Sequence, residues 1–92
     1  MSDDDDPVVA RKLAPIYNAL DAGQFRSALK LTMKKDYQSW DIVKVLRAIA
    51  LERLSRPVEA LALCLEVRAN EPTSESVLRM LNTAFKFLGA LD

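Results

Sequence analysis

The chain has 92 residues, half of them apolar, with one cysteine, no histidine, and thirteen basic side chains against thirteen acidic ones. That length holds one domain or a piece of one, and outside the aspartate run at 3–6 nine acids face thirteen bases, a net of +4 that is too mild for a nucleic-acid binder. The lone Cys64 gives neither a disulfide framework nor metal-ligand spacing, no stretch reaches the ~18 consecutive apolar residues of a membrane span, and MSDDDD is the reverse of a signal peptide's opening, so a soluble, cytoplasmic chain is expected.

In chain order the predicted elements are all helices. Residues 1–10 are expected to be an acidic, disordered tail. Pro15 lies inside VVARKLAPIYNAL, and a proline is tolerated in a first turn but kinks a helix further in, so the first helix should begin near Arg11 or bend there. A second helix is predicted over about 24–35 and a third over about 40–54 with Ser39 or Asp41 as its cap. The fourth spans about 56–69 with Pro57 in its first turn, and the fifth follows EPTS over about 75–88. Strand-like alternation is absent and glycine is confined to Gly23 and Gly89, so an antiparallel, all-α arrangement of five helices follows.

A repeat links these helices. Ala28 recurs thirty-two positions later as Ala60, each followed by leucine. The tetratricopeptide repeat, a helix-turn-helix unit of about 34 residues, has small side chains near positions 8 and 20, a large apolar one near 11, a turn residue near 15 and proline near 32. With Ala60 at position 20, Ala48 falls at 8, Leu51 at 11, Ser55 at 15 and Pro72 at 32. A third unit then starts at Glu75, with Leu78 at position 4, Leu81 at 7, Phe85 at 11 and Gly89 at 15, and stops just after its turn. Stepping back from Ala28 puts Gly23 in the turn and Phe25 just beyond it, in a unit two residues short. Small residues at these positions admit a large side chain where helices cross, so Ala28 and Ala60 should sit at crossings. Lys44 and Arg47 occupy places where the repeat wants apolar residues, and Ile42, Val45, Leu46 and Ile49 carry the apolar face instead, which predicts rotated contacts. The fold expected is a tetratricopeptide-like solenoid of about two and a half repeats: 11–40, 41–74, and 75–92 as the first helix of a truncated third.

The segments LAPIYNALDAGQFRSALKL and VLRAIALERLSRPVEALALCLEVRANEPTSESVL carry a narrower likeness. With PIY followed by LD, then VLRAIALER, EALAL and EV…EPT, roughly residues 11–80 resemble the N-terminal repeats of the auxiliary subunit of N-terminal acetyltransferase B, NatB. MSDDDD and FKFLGALD match nothing distinctive, and members of that family are several times longer, so an N-terminal fragment or a short isoform is expected. The resemblance implies a non-catalytic scaffold that wraps a GNAT-type acetyltransferase subunit and tethers it to ribosomes. That complex would acetylate Met-Asp, Met-Glu, Met-Asn and Met-Gln N-termini, with acetyl-CoA held by the catalytic subunit.

The residues themselves carry no chemistry that would make the chain an enzyme. It has no histidine and no Gly-rich phosphate loop, and Cys64, among Leu61, Leu63, Leu65 and Val67, reads as a core filler, so no catalytic, cofactor-binding or metal-ligating residue is assigned. Arg26, Lys30 and Lys34 lie four apart, a strip that Lys35 and Lys44 could extend toward RNA phosphates but that reads better as a solvated face. A co-chaperone-type clamp for a C-terminal carboxylate would need polar groups where Leu13, Tyr17 and Leu46 stand, which leaves a generic interaction scaffold as the alternative. The fifth helix carries Val77, Leu78, Met80, Leu81, Ala84, Phe85, Phe87 and Leu88, more apolar surface than the preceding pair can cover, and predicts a face that either self-associates or binds a next helix.

Overall fold

In the computed structural model, which describes residues 7–89, the chain reverses direction twice through the same turn. Its helices are α1 (Pro7–Asp21), α2 (Phe25–Leu31), α3 (Asp41–Arg53), α4 (Pro57–Ala69) and α5 (Glu75–Leu88). Gly23 after α1 has φ +75° and Ser55 after α3 has φ +64°. Beyond them the Gln24 N–H donates to the Ala19 carbonyl at 2.8 Å, and the Arg56 N–H donates to the Leu51 carbonyl at 2.9 Å. The inner bonds match as well, Gly23 N–H to the Leu20 carbonyl at 3.1 Å and Ser55 N–H to the Glu52 carbonyl at 3.0 Å. This is the Schellman closure, which satisfies carbonyls that a helix end leaves orphaned. Gly23 and Ser55 are thirty-two positions apart, the same offset as Ala28 and Ala60, so turn and crossing repeat together.

Both alanines are fully buried. Ala28 meets Ala19 of α1 and Ala50 of α3, three small side chains that let the helices approach closely. Ala60 belongs to the main core with Ala48, Leu51, Cys64 and Val67. Helix α3 is the axis of the molecule, in contact with all four other helices, and Ile42, Val43, Val45, Leu46, Ala48, Ile49, Ala50 and Leu51 are all buried. The expected face of Ile42, Val45, Leu46 and Ile49 is therefore part of a helix enclosed nearly all round, and Lys44 and Arg47 occupy its remaining polar seam. The result is an all-α, tetratricopeptide-like stack of two helical pairs and a fifth helix.

The local boundaries differ from the sequence expectation at four places. Helix α1 starts at Pro7, not near Arg11, so 7–10 are helical and not tail, while residues 1–6 with the aspartate run lie outside the described residues. Pro15 rides inside α1 on its exposed side, where the Arg11 carbonyl it leaves unpaired can bond to water. Helix α2 ends at Leu31, four residues short of Lys35: the Met33 and Lys34 amides close back three residues instead of four, to the Lys30 and Leu31 carbonyls. Neither Ser39 nor Asp41 caps α3, since Trp40 holds that position without a side-chain bond and Asp41 is the first helical residue. Gly89 has φ −59°, a right-handed conformation, and so does not form the left-handed turn of Gly23 and Ser55. Ala90, Leu91 and Asp92 lie outside the described residues.

Candidate functional site

A concavity of about 670 Å³ opens between α1, the start of α3 and the α4–α5 turn. Its apolar wall comes from Val9, Leu13 and Tyr17 on α1, with Trp40, Ile42 and Val77 opposite. Leu13 and Tyr17, which supply no Lys or Asn for a carboxylate clamp, both line this groove, whereas Leu46 is fully buried. Asp41 is fixed at the rim by the Asn70 Nδ2 amide, which donates to Oδ1 at 3.0 Å and ties the start of α3 to the end of α4. Glu71, exposed at φ +52°, turns the chain from α4 toward Pro72, where the rim continues. Trp40 packs against Tyr37 with ring centroids 5.9 Å apart. In the sequence Asp41 stands out only as a candidate helix cap, and Trp40 and Asn70 do not stand out; the signal available was a half-apolar, half-polar segment at each helix junction.

Arg47 explains why a cation can occupy an apolar repeat position. Its Nη2 donates to the Thr32 and Gln38 carbonyls, both at 2.8 Å, and its Nε donates to Thr32 Oγ1 at 3.2 Å. Thr32 Oγ1 in turn donates to the Leu29 carbonyl at 2.6 Å. The connection from α2 to α3 is closed by turn bonds such as Tyr37 N–H to the Lys34 carbonyl, and the guanidinium adds donors for the Thr32 and Gln38 carbonyls. Desolvation lowers the Arg47 pKa, opposed by the charge of Glu66, and an arginine remains cationic through such a shift. Lys44 bridges α3 to Glu66 of α4 at 3.1 Å.

The basic strip divides. Arg26 and Lys30 stay on α2, where with Leu29, Leu54 and Arg56 they line a shallow notch of about 390 Å³. Lys34 and Lys35 lie beyond the end of that helix, and Lys44 is taken by Glu66, so none of the three extends the strip along one face. Cys64 is fully enclosed, and burial pushes its thiol up to about 11, the opposite of what a nucleophile needs. Its sequence neighbour Leu65 points outward, because successive helical residues face about 100° apart. On α5, Val77, Leu81, Ala84 and Leu88 are buried and Met80, Phe85 and Phe87 pack half-buried against the core. The Arg53 guanidinium sits 4.1 Å above the Phe87 ring and that of Arg68 5.3 Å above Phe85, so α5 leaves less apolar surface than its sequence suggests. Leu78 is its exposed large side chain, at 45%. No helix among the described residues is long and apolar enough to cross a membrane.

Comparison with known proteins places these features in a lineage. Residues 10–92 match the family model described as "Psidin, N-terminal TPR repeats region". Over 78 residues the chain is 38% identical to the rat protein named "N-alpha-acetyltransferase 25, NatB auxiliary subunit" and 37% identical to its human counterpart, in each case covering 83% of this chain and 8% of the relative. It is 30% identical over 90 residues to the "Phagocyte signaling-impaired protein" of Drosophila pseudoobscura pseudoobscura, covering 96% of this chain and 9% of that one. The chain thus spans less than a tenth of the length of the curated relatives it matches. No solved structure matches it.

Proposed function

The chain belongs to the Psidin N-terminal TPR-repeat family, and from that premise we propose that it serves as a non-catalytic scaffold in a NatB-type N-terminal acetyltransferase complex. The observation that carries this is the 38% identity across 83% of the chain with a relative named as a NatB auxiliary subunit. A buried, fully protonated Cys64 at neutral pH and helices spent on packing suit a scaffold and not a catalyst. In this reading a GNAT-type subunit brings acetyl-CoA, and the assembly works in the cytoplasm on ribosomes, modifying chains that begin Met-Asp, Met-Glu, Met-Asn or Met-Gln. The open part of the α5 face around Leu78 would meet further polypeptide, and in the isolated chain a second copy of itself. Affinity purification from the native source, followed by mass spectrometry, should enrich a GNAT-type acetyltransferase and ribosomal proteins. Their absence from a complex that contains other partners would turn the reading into that of a generic interaction scaffold. Given acetyl-CoA and a Met-Asp peptide, the purified chain alone should transfer nothing above background.

A further inference from the structure

We propose that the groove between α1, the start of α3 and the α4–α5 turn docks an extended segment of a partner protein that presents one apolar side chain flanked by lysine or arginine. At about 670 Å³ the groove is large enough for a bulky aliphatic side chain and the backbone on either side of it. Val9, Tyr17 and Trp40 on its wall are half-buried, so that an inserted leucine or methionine would exchange water for hydrocarbon there. The charged side chains that line it among the described residues are Asp41 and Glu71, both acidic. Helix ends also act on the groove: the N-termini of α3 and α5 contribute about half a positive charge each and the C-terminus of α4 about half a negative one. These sum to about +0.5, smaller than the two negative charges of Asp41 and Glu71, so the carboxylates decide the sign. Asp41 is already held by Asn70 and needs little ordering on binding.

Charge also separates the candidate occupants. The chain's own aspartate run at 3–6 and its Asp92 carry the same sign as the groove and would be repelled from it. A basic segment in trans is attracted, with the apolar residue supplying affinity and the rim acids supplying selection. The inference rests on the groove alone and does not depend on the acetyltransferase assembly.

Trp40, the sole tryptophan, lines the groove and reports its occupancy. The 92-residue chain would be titrated with short blocked peptides centred on Lys-Leu-Lys, Glu-Leu-Glu or Lys-Ser-Lys while Trp40 emission is followed. The Lys-Leu-Lys peptide should shift the emission to the blue and saturate, with the other two at least about tenfold weaker. Glu71→Gln should weaken Lys-Leu-Lys binding about threefold, and adding Asp41→Asn should bring the loss toward tenfold. Glu71 is exposed, so its variant keeps the test open even if the double variant loses helicity by circular dichroism. No saturable Trp40 response, equal binding of Glu-Leu-Glu or Lys-Ser-Lys, or a Glu71→Gln variant that binds like the parent would overturn the proposal.

Discussion

At Gly23 and Ser55 one backbone conformation is met by two different residues, and the difference has a measurable consequence. A Cβ added at Gly23 would touch nothing within 4 Å, so Gly23→Ala costs only the left-handed φ of +75°, about 1 kcal/mol. Ser55 already bears that strain at φ +64°, and Ser55→Gly should stabilise the fold by about 0.5–1 kcal/mol once the greater freedom of unfolded glycine is subtracted. Urea unfolding of both variants checks this pair; shifts of the same sign would show that the turns are not equivalent. Position 15 of the repeat was legible in the sequence, but its conformation at a serine was not, because serine does not announce positive φ as glycine does. The other residue with a solution signature is Cys64. Burial lifts its pKa to about 11 in the folded chain, above the ~8.5 of an unfolded thiol. The unfolded state therefore loses its proton first, and the folded chain should lose stability as pH rises from about 8.5 to 11. Burial, and then the charge of Asp36, raises the Tyr37 pKa as well, which acts in the same direction at the top of that range. Denaturation midpoints measured across this range should fall less steeply in Cys64→Ala than in the parent, and identical slopes would show that the thiol is not the group involved.

Among the elements, α4 and α5 could be read closely from the sequence because Pro57 and EPTS punctuate them. The first two helices were harder. The proline rule predicts a start near Arg11 or a bend there, yet the helix begins at Pro7 and carries Pro15 on its solvent side, where water can take the carbonyl left without its amide. The apolar period carried α2 on to Lys35, whereas Thr32 bonds back to Leu29 and opens a connection whose order depends on Arg47, fifteen positions away. No window of local sequence contains both partners. Arg47→Met fills the same space without donors and should destabilise the chain by about 1.5–3 kcal/mol, since it leaves two carbonyls and a hydroxyl to find other partners. Arg47→Lys should recover less than half of that loss, because an ammonium is a point donor that cannot span Thr32 and Gln38 as a planar guanidinium does. Amide exchange offers the discriminating readout: in Arg47→Met the Tyr37, Gln38 and Trp40 amides should exchange faster than those in the middle of α3. Uniform acceleration of all amides would mean that Arg47 supports the whole stack and not this connection.

For the whole molecule, the groove and the α5 face were the parts least legible in the sequence, because each is made by elements far apart along it. The groove needs α1, the start of α3 and the α4–α5 turn at once. The eight apolar residues of α5 suggested a broad adhesive face, but four are buried and Phe85 and Phe87 lie beneath Arg68 and Arg53, side chains from two other helices. What remains is Leu78 at 45% exposure, with the half-buried Phe85 two turns on along the same flank and Phe87 on the opposite one. Complete burial of one large apolar side chain is worth about 1.5–3 kcal/mol, less than the entropy cost of fixing two molecules together. Self-association of the isolated chain through this face should therefore be weak and visible only at high concentration. Replacing both arginines, Arg53→Ala with Arg68→Ala, uncovers the two rings and removes two like charges that would otherwise face each other across a symmetric contact. Sedimentation across a concentration series should then show the double variant associating at least about tenfold more tightly than the parent, the equivalent of one further ring buried in part. Adding Leu78→Ser should return it toward the monomer. A double variant that remains monomeric over the same range would show that the rings are shielded by the core itself and that the guanidinium groups above them do not control the face.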